Sequence, residues 1–254
     1  MRLVFLFFLA LVSTSLASST EAAMIPFGFW KPKCSPPFAS SWTPRWNNII
    51  QYWNLNGSAG SISDGATIPA TIGSAGTATE PGMAYVTGKI GNAVSFNGGS
   101  YIDMGSLANT LNRPQMSIAA WIYPTANSRS TIAGAEFLMK IQFTDTYTVR
   151  VLASKDGFSW AGIIESTTTY PLNRWLHMVA TYNGSQLVLY ANGISVGSTP
   201  ITGNLSSSGS SFQISGYDGL NEMFTGIIDD VAVWNTGLTA DEVMRIYTGQ
   251  NCKP

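Results

Sequence analysis

Trp175-Leu-His-Met-Val-Ala-Thr-Tyr-Asn-Gly184, running into Ser185-Gln-Leu-Val-Leu-Tyr-Ala-Asn-Gly193, decides the fold class of this chain. Two β-rich runs meet at Asn183-Gly184, and the second run ends in another such pair, Asn192-Gly193. Asn-Gly suits a two-residue type I′ turn, because both central positions need positive φ. The stretch therefore predicts two successive antiparallel hairpins. Strand signals recur on both sides of it, separated by Gly, Asn and Pro. They run from Ile49 to Leu55, Ala93 to Phe96, Tyr101 to Asp103, Met116 to Tyr123 and Phe137 to Phe143, then Tyr147 to Leu152, Trp160 to Ile164, Phe212 to Tyr217 and Ile227 to Trp234. Short strands at such spacing predict an all-β sandwich or barrel. Gly57 to Gly82 is rich in Gly, Ser, Ala and Thr without apolar periodicity, and reads as one long connection.

One helix is signalled, near the end. Thr239 and Glu242 have the spacing of a capping box, in which each side chain takes a backbone N–H of the first turn. Leu238 and Val243 occupy the staple positions around it. Val243, Ile246 and Tyr247 share a face, and Gly249 is placed to end the helix.

Met1-Arg2, the apolar run from Leu3 to Val12 and the small residues of Ser15-Leu16-Ala17 read as an export signal over residues 1–17. The run is too short to cross about 30 Å of hydrocarbon comfortably. The expectation is a secreted protein, extracellular or periplasmic, with no transmembrane segment. Residues 18–45 read as an irregular Pro- and aromatic-rich leader, and 46–254 as one domain. With 254 residues and 45% hydrophobic content a core is well supplied, while only 11% of residues are charged. A net charge of −1 removes the electrostatic motive for binding nucleic acid or anionic lipid. In an oxidising compartment Cys34 and Cys252 are expected to form a disulfide. Two Cys and the one His, His177, are too few for a structural zinc site.

Four stretches, in order, carry a family resemblance. They are Gly88-Lys-Ile-Gly-Asn-Ala-Val-Ser-Phe-Asn-Gly98 with Tyr101-Ile-Asp-Met-Gly105; Met116-Ser-Ile-Ala-Ala-Trp121-Ile; the Trp175 to Gly193 hairpins; and Phe224-Thr-Gly-Ile-Ile-Asp-Asp-Val-Ala-Val-Trp-Asn235 leading into Leu238-Thr-Ala-Asp-Glu242. The set resembles the laminin-G-like jelly rolls of the concanavalin A-like lectin/glucanase superfamily. That resemblance implies a two-sheet antiparallel jelly-roll sandwich with one short C-terminal helix. It leaves function open among glycan-binding modules, adhesive domains and glycoside hydrolases. It also implies a structural calcium, with Asp229 similar to a last-strand ligand of some relatives and Asp64 resembling an early-loop ligand. The alternative is that both cap turns, with Asp230 facing solvent.

A hydrolase of this kind carries Glu-x-Asp-x-Glu on one strand, so that period-two spacing projects the carboxylates to one face. No Glu here has that spacing. Gly193-Ile-Ser195-Val-Gly197 matches a serine-hydrolase pattern but falls inside a β-run, away from any strand-to-helix elbow. His177 reads as a hydrogen-bonded structural residue. Sugar binding calls for aromatics with amides and carboxylates, which two segments supply. One is Lys155 to Trp160, with Trp160 expected to pack into the sandwich. The other holds Tyr217, Asp218, Asn221 and Glu222. The sequence thus predicts a secreted, non-catalytic module that binds glycan or another extracellular surface. The alternatives are a glycoside hydrolase with an atypical site and a protein-adhesion or structural domain.

Overall fold

The computed structural model describes residues 43–105, 113–207, 209–217 and 222–250. Cys34, Cys252, Asp218 and Asn221 lie outside them, as does the export signal. In chain order the strands are β1 Ile49–Trp53, β2 Gly60–Ile62, β3 Thr67–Ile68, β4 Gly76–Thr79, β5 Met83–Thr87, β6 Asn92–Asn97, β7 Tyr101–Asp103, β8 Met116–Pro124 and β9 Ser130–Ala135. There follow β10 Met139–Phe143, β11 Val149–Ser154, β12 Trp160–Glu165, β13 Leu176–Tyr182, β14 Gln186–Ala191, β15 Ile194–Pro200, β16 Phe212–Ile214 and β17 Thr225–Trp234, and then the helix α1, Ala240–Gln250.

They form two antiparallel sheets, the expected jelly-roll sandwich. One has the order β15-β14-β13-β8-β17-β6-β5-β2, with β1 also paired to β17; the other runs β12-β11-β10-β9-β16-β7-β4-β3. The second turn of the deciding stretch is as predicted, with Asn192 at φ 51° and Gly193 at φ 80°. The first is wider. Tyr182 pairs with Leu187, and the Asn183 carboxamide oxygen takes the N–H groups of Ser185 and Gln186 at 3.0 and 2.9 Å. A side chain, rather than two left-handed residues, makes that turn. The supposed connection from Gly57 to Gly82 contains β2, β3 and β4, short strands whose small polar residues gave no periodicity.

Alternation along the strands explains two apolar layers. Ile118, Ile122, Val231 and Val233 face inward, with Phe143, Val151, Phe212 and Ile214 from the opposite sheet. Their neighbours Ala119, Ala232 and Trp234 face outward, where Leu238, Val243 and Ile246 cover them. The capping box forms as expected: Glu242 accepts from the Thr239 N–H at 2.9 Å, and its own N–H donates to the Thr239 hydroxyl at 3.3 Å. The helix continues through Gly249 to Gln250. The helix covers the middle of the nine-stranded sheet, over β1, β8, β13, β14 and β17.

Candidate functional site

On β10, Met139, Ile141 and Phe143 enter the core, so Lys140 and Gln142 project outward. Neither is solvated; Lys140 is 3% exposed and Gln142 1%. Two segments cover them. After β16 the chain crosses β9, where the Gly216 N–H donates to the Thr131 carbonyl at 3.0 Å and the Thr131 N–H to the Glu222 carbonyl at 2.8 Å. This crossing brings Tyr217 and Glu222 onto β10. From the other side, Phe137 and Trp160 pack with ring centroids 5.0 Å apart and planes tilted by 31°.

The ammonium of Lys140 sits at the centre. It donates to Glu136 Oε2 at 2.8 Å and to Glu222 Oε2 at 3.3 Å. Its nitrogen lies 3.4 Å from the centroid of Tyr217 and 5.2 Å from that of Trp160. A buried charge needs this completeness of pairing, because an uncompensated one costs several kcal/mol. The same Glu222 oxygen accepts from the Thr131 hydroxyl at 3.0 Å and from the Gln142 amide nitrogen. Glu222 and Phe137 both hold left-handed backbone, at φ 48° and φ 50°, a strain that tends to gather where geometry is functional. Gly134 lies between Lys140 and Gln213 in register across the sheet. A Cβ on it would stand 2.4 Å from the Lys140 Cα, so β9 and β10 approach this closely only with glycine there.

Two of the four residues expected to bind ligand, Tyr217 and Glu222, are thus brought together through Lys140. Trp160, expected inside the sandwich, instead lies half-buried on its outer side and completes the cluster. In the same hairpin Asp156 shapes its own turn, accepting from the N–H groups of Phe158 and Ser159 and from the hydroxyls of Ser154 and Ser159. Those bonds hold its carboxyl well below the usual range. They leave Phe158 77% exposed at the hairpin tip. Lys140, Gln142 and Thr131 had no signal of their own, since outward polar residues on a strand read as a solvated face, and Glu136, in the turn between β9 and β10, read as an ordinary surface charge. Two open grooves of about 440 and 280 Å³ meet at Tyr170 and Asn192. The smaller is lined by Tyr170, Arg174 and Trp175 with Asn192, but neither groove is lined by a carboxylate, and the Lys140 cluster, which joins rings, cation and carboxylates, is the stronger candidate on chemistry.

The residues expected to hold calcium lie apart in character. Asp64 is exposed, and its Oδ1 accepts the Glu80 N–H at 3.0 Å. Asp229 is enclosed in β17, and its Oδ2 accepts the N–H groups of Lys89 and Ile90, each at 2.9 Å. A Cβ on Gly88 would come within 2.6 Å of that oxygen, which accounts for the glycine. Asp230 does not face solvent; it is 1% exposed and accepts from the Tyr52 hydroxyl at 2.5 Å. A bulge opposite β8, between Asp229 and Ala232, buries the two consecutive carboxylates together. Burial and the adjoining charge push Asp229 well above the carboxylate range, and burial pushes Asp230 up to about 7. Asp229 Oδ1 and Asp230 Oδ2 have no hydrogen-bond partner among the described residues. Two orphaned oxygens fit a hard cation, although no group of three or more His, Cys, Asp or Glu is gathered for a metal among the described residues.

His177 is buried, and its Nδ1 has no hydrogen-bond partner among the described residues. Its ring packs between Trp121 and Tyr247, at 4.8 and 6.0 Å, and burial lowers its pKa to about 3. Ser195 lies exposed on β15. A strand position has none of the elbow geometry a serine nucleophile needs.

Residues 96–244 match the sequence profile of the concanavalin A-like lectin/glucanases superfamily, more than half of the chain, and the chain belongs to this family. Comparison with curated proteins finds no match. Among solved structures, domain 4 of the extracellular arabinanase AbnA from Geobacillus stearothermophilus, in complex with arabinotriose, is 19% identical. It covers 79% of this chain and 98% of its own, with a TM-score of 0.59. A sialidase of Trypanosoma rangeli is 14% identical over 86% of this chain, with a TM-score of 0.59; the match spans only 36% of the sialidase. The carbohydrate-binding module CBM40 of the Ruminococcus gnavus IT-sialidase, bound to α2,3 sialyllactose, is 14% identical. It covers 61% of this chain and 95% of its own, with a TM-score of 0.53. At these identities the likeness is one of fold.

Proposed function

We propose that the chain is an exported, non-catalytic glycan-binding module whose ligand rests against Tyr217 and Trp160. The observation that carries this is the Lys140 ammonium, held by two carboxylates and flanked by both rings. The cation fixes the rings, and half-buried rings offer faces for the apolar side of a sugar. Glu136 and Glu222 supply acceptors for hydroxyls beside them. The arabinotriose and sialyllactose complexes of the same fold support the reading. Stacking of this kind is worth about 1 kcal/mol per ring. Tyr217→Ala and Trp160→Ala are therefore each expected to weaken glycan retention roughly five- to tenfold. Glycan-array binding that neither substitution changes would remove the site, and an array with no binding would shift the weight to protein adhesion.

One observation favours hydrolysis as a second reading: Glu136 and Glu222 share one ammonium nitrogen, which puts their carboxylates within about 6 Å. A retaining pair needs one member to deliver a proton to the leaving oxygen. Here both accept from the same cation, so binding is the better account. Reducing-end release from a glucan or arabinan, lost in Glu222→Gln, would reverse that choice.

Calcium belongs to the proposal at Asp229 and Asp230, where the two orphaned oxygens are, with backbone carbonyls completing the shell. An ion bound only by the folded chain raises stability by mass action. The expected result is melting several degrees higher in calcium than in chelator, a gap absent from Asp229→Asn. Superimposable wild-type curves in the two buffers would dismiss the ion.

A further inference from the structure

We infer that the Lys140 cluster selects neutral, hydroxyl-rich glycans and turns away acidic ones, even though a buried cation lies at its centre. The inference rests on the glycan-binding reading and narrows it to a ligand class. An ammonium has three N–H groups. Here one goes to Glu136 Oε2, a second to Glu222 Oε2, and the third side is closed by the Tyr217 ring at 3.4 Å. No donor is left for a sugar carboxylate. The other cation on this stretch of sheet, among the described residues, is Arg150, paired in register with Gln142 and Glu165; its Nε, 3.9 Å from Glu165 Oε2, has no hydrogen-bond partner there but is buried and so is not presented to a ligand. Asp103 stands in the same cross-strand row as Gln213, Gly134 and Lys140. Among the described residues of this stretch, two cations therefore stand with four carboxylates, Glu136, Glu222, Glu165 and Asp103, and an approaching anion meets net negative charge.

What the cluster leaves unused is acceptors. Glu136 Oε1 and Glu222 Oε1 receive no hydrogen bond among the described residues. The Gln142 amide nitrogen is turned toward Glu222, because a carboxylate can only accept, so its oxygen is directed away. That oxygen and the side-chain oxygen of Gln213 have no partner among the described residues but are sealed in, the two residues being 1% and 5% exposed, so the acceptors open to a ligand are those of Glu136 and Glu222. Unmet acceptors call for a ligand that brings donors, which hydroxyls do and carboxylates do not. The fold is shared with a module bound to sialyllactose, so this discrimination is a property of these side chains and not of the sandwich.

The test uses matched neutral and acidic probes immobilised at equal density: lactose against 3′-sialyllactose, and linear galactan against polygalacturonate. With the full chain at low salt, we expect at least tenfold stronger retention on the neutral member of each pair. The gap should narrow toward 0.5 M salt as the like-charge repulsion is screened. Glu136→Gln removes one carboxylate charge beside Lys140, and should cut the neutral-to-acidic ratio at least fivefold. The wild-type comparison stands without any variant, so poor folding of Glu136→Gln would not blunt it. Equal or stronger acidic binding that is lost in Tyr217→Ala would overturn the inference while leaving glycan binding intact. Neutral binding that survives both Tyr217→Ala and Trp160→Ala would place the ligand elsewhere and overturn it too. Absence of binding to all four probes, together with a silent glycan array, would overturn the glycan reading and this inference with it.

Discussion

Gly134→Ala is expected to cost on the order of 3 kcal/mol of stability and to disable the site at the same time. The added Cβ would lie 2.4 Å from the Cα and Cβ of Lys140 and 2.5 Å from the Met139 carbonyl oxygen. Backbone cannot swing aside as a side-chain tip can, so β9 and β10 must separate. Gly134 also holds φ 150°, a conformation that side-chain-bearing residues rarely adopt. The displaced strand is the one that carries Lys140 and Gln142, so glycan retention should fall with stability. Gly162→Ala is the control. Its Cβ would stand 2.1 Å from the far end of the Ile201 side chain, which can turn away, at backbone geometry any residue accepts, and should cost about 1 kcal/mol. Denaturant unfolding checks both, and equal midpoints for Gly134→Ala and Gly162→Ala would defeat the argument.

The difference between those glycines marks how far the sequence could be read. Strands with strong alternation or a turn pair, such as β13, β14 and β17, stand out because each residue's direction is set by period two. The helix cap stands out because both partners lie three residues apart. Neither logic reaches β9, whose Ser130-Thr-Ile-Ala-Gly-Ala135 is small and nearly all buried, with no polar face to mark a period. The site shows the same limit more sharply. Tyr217 and Glu222 could be chosen by residue type, but the side chains that join them to Trp160 come from β9, β10 and the turn between them. Lys140 and Gln142 look like solvent-facing positions until a distant segment, 75 or more residues along, is seen to cover them. Asp229 and Asp230 fail for two reasons. A one-residue bulge buries both carboxylates, and the face away from the core, which alternation would take for solvent, is itself covered by the apolar layer around α1.

His177 should govern much of the acid sensitivity of the fold, and the sign follows from its environment. Burial lowers its pKa to about 3, whereas in the unfolded chain it titrates at about 6.5. As pH falls below 6.5 the unfolded state takes up a proton that the folded state refuses, so stability is lost from there down to pH 3. At pH 4 the loss is about 3 kcal/mol. The buried pair Asp229 and Asp230 acts in the opposite sense. Their raised pKa values mean that the folded state holds protons the unfolded state has released, so lowering the pH from about 7 toward 4 favours folding. The wild-type profile alone therefore mixes two opposing contributions, and comparison with His177→Phe separates them. Phenylalanine keeps a ring between Trp121 and Tyr247 and removes a nitrogen that has no partner. At pH 7.5 the variant should lie within about 1 kcal/mol of wild type. At pH 4, in chelator, it should be the more stable of the two by about 3 kcal/mol relative to that baseline. Parallel stability profiles for wild type and His177→Phe between pH 7.5 and 4 would show that His177 takes up its proton equally well in both states, and would refute the assignment.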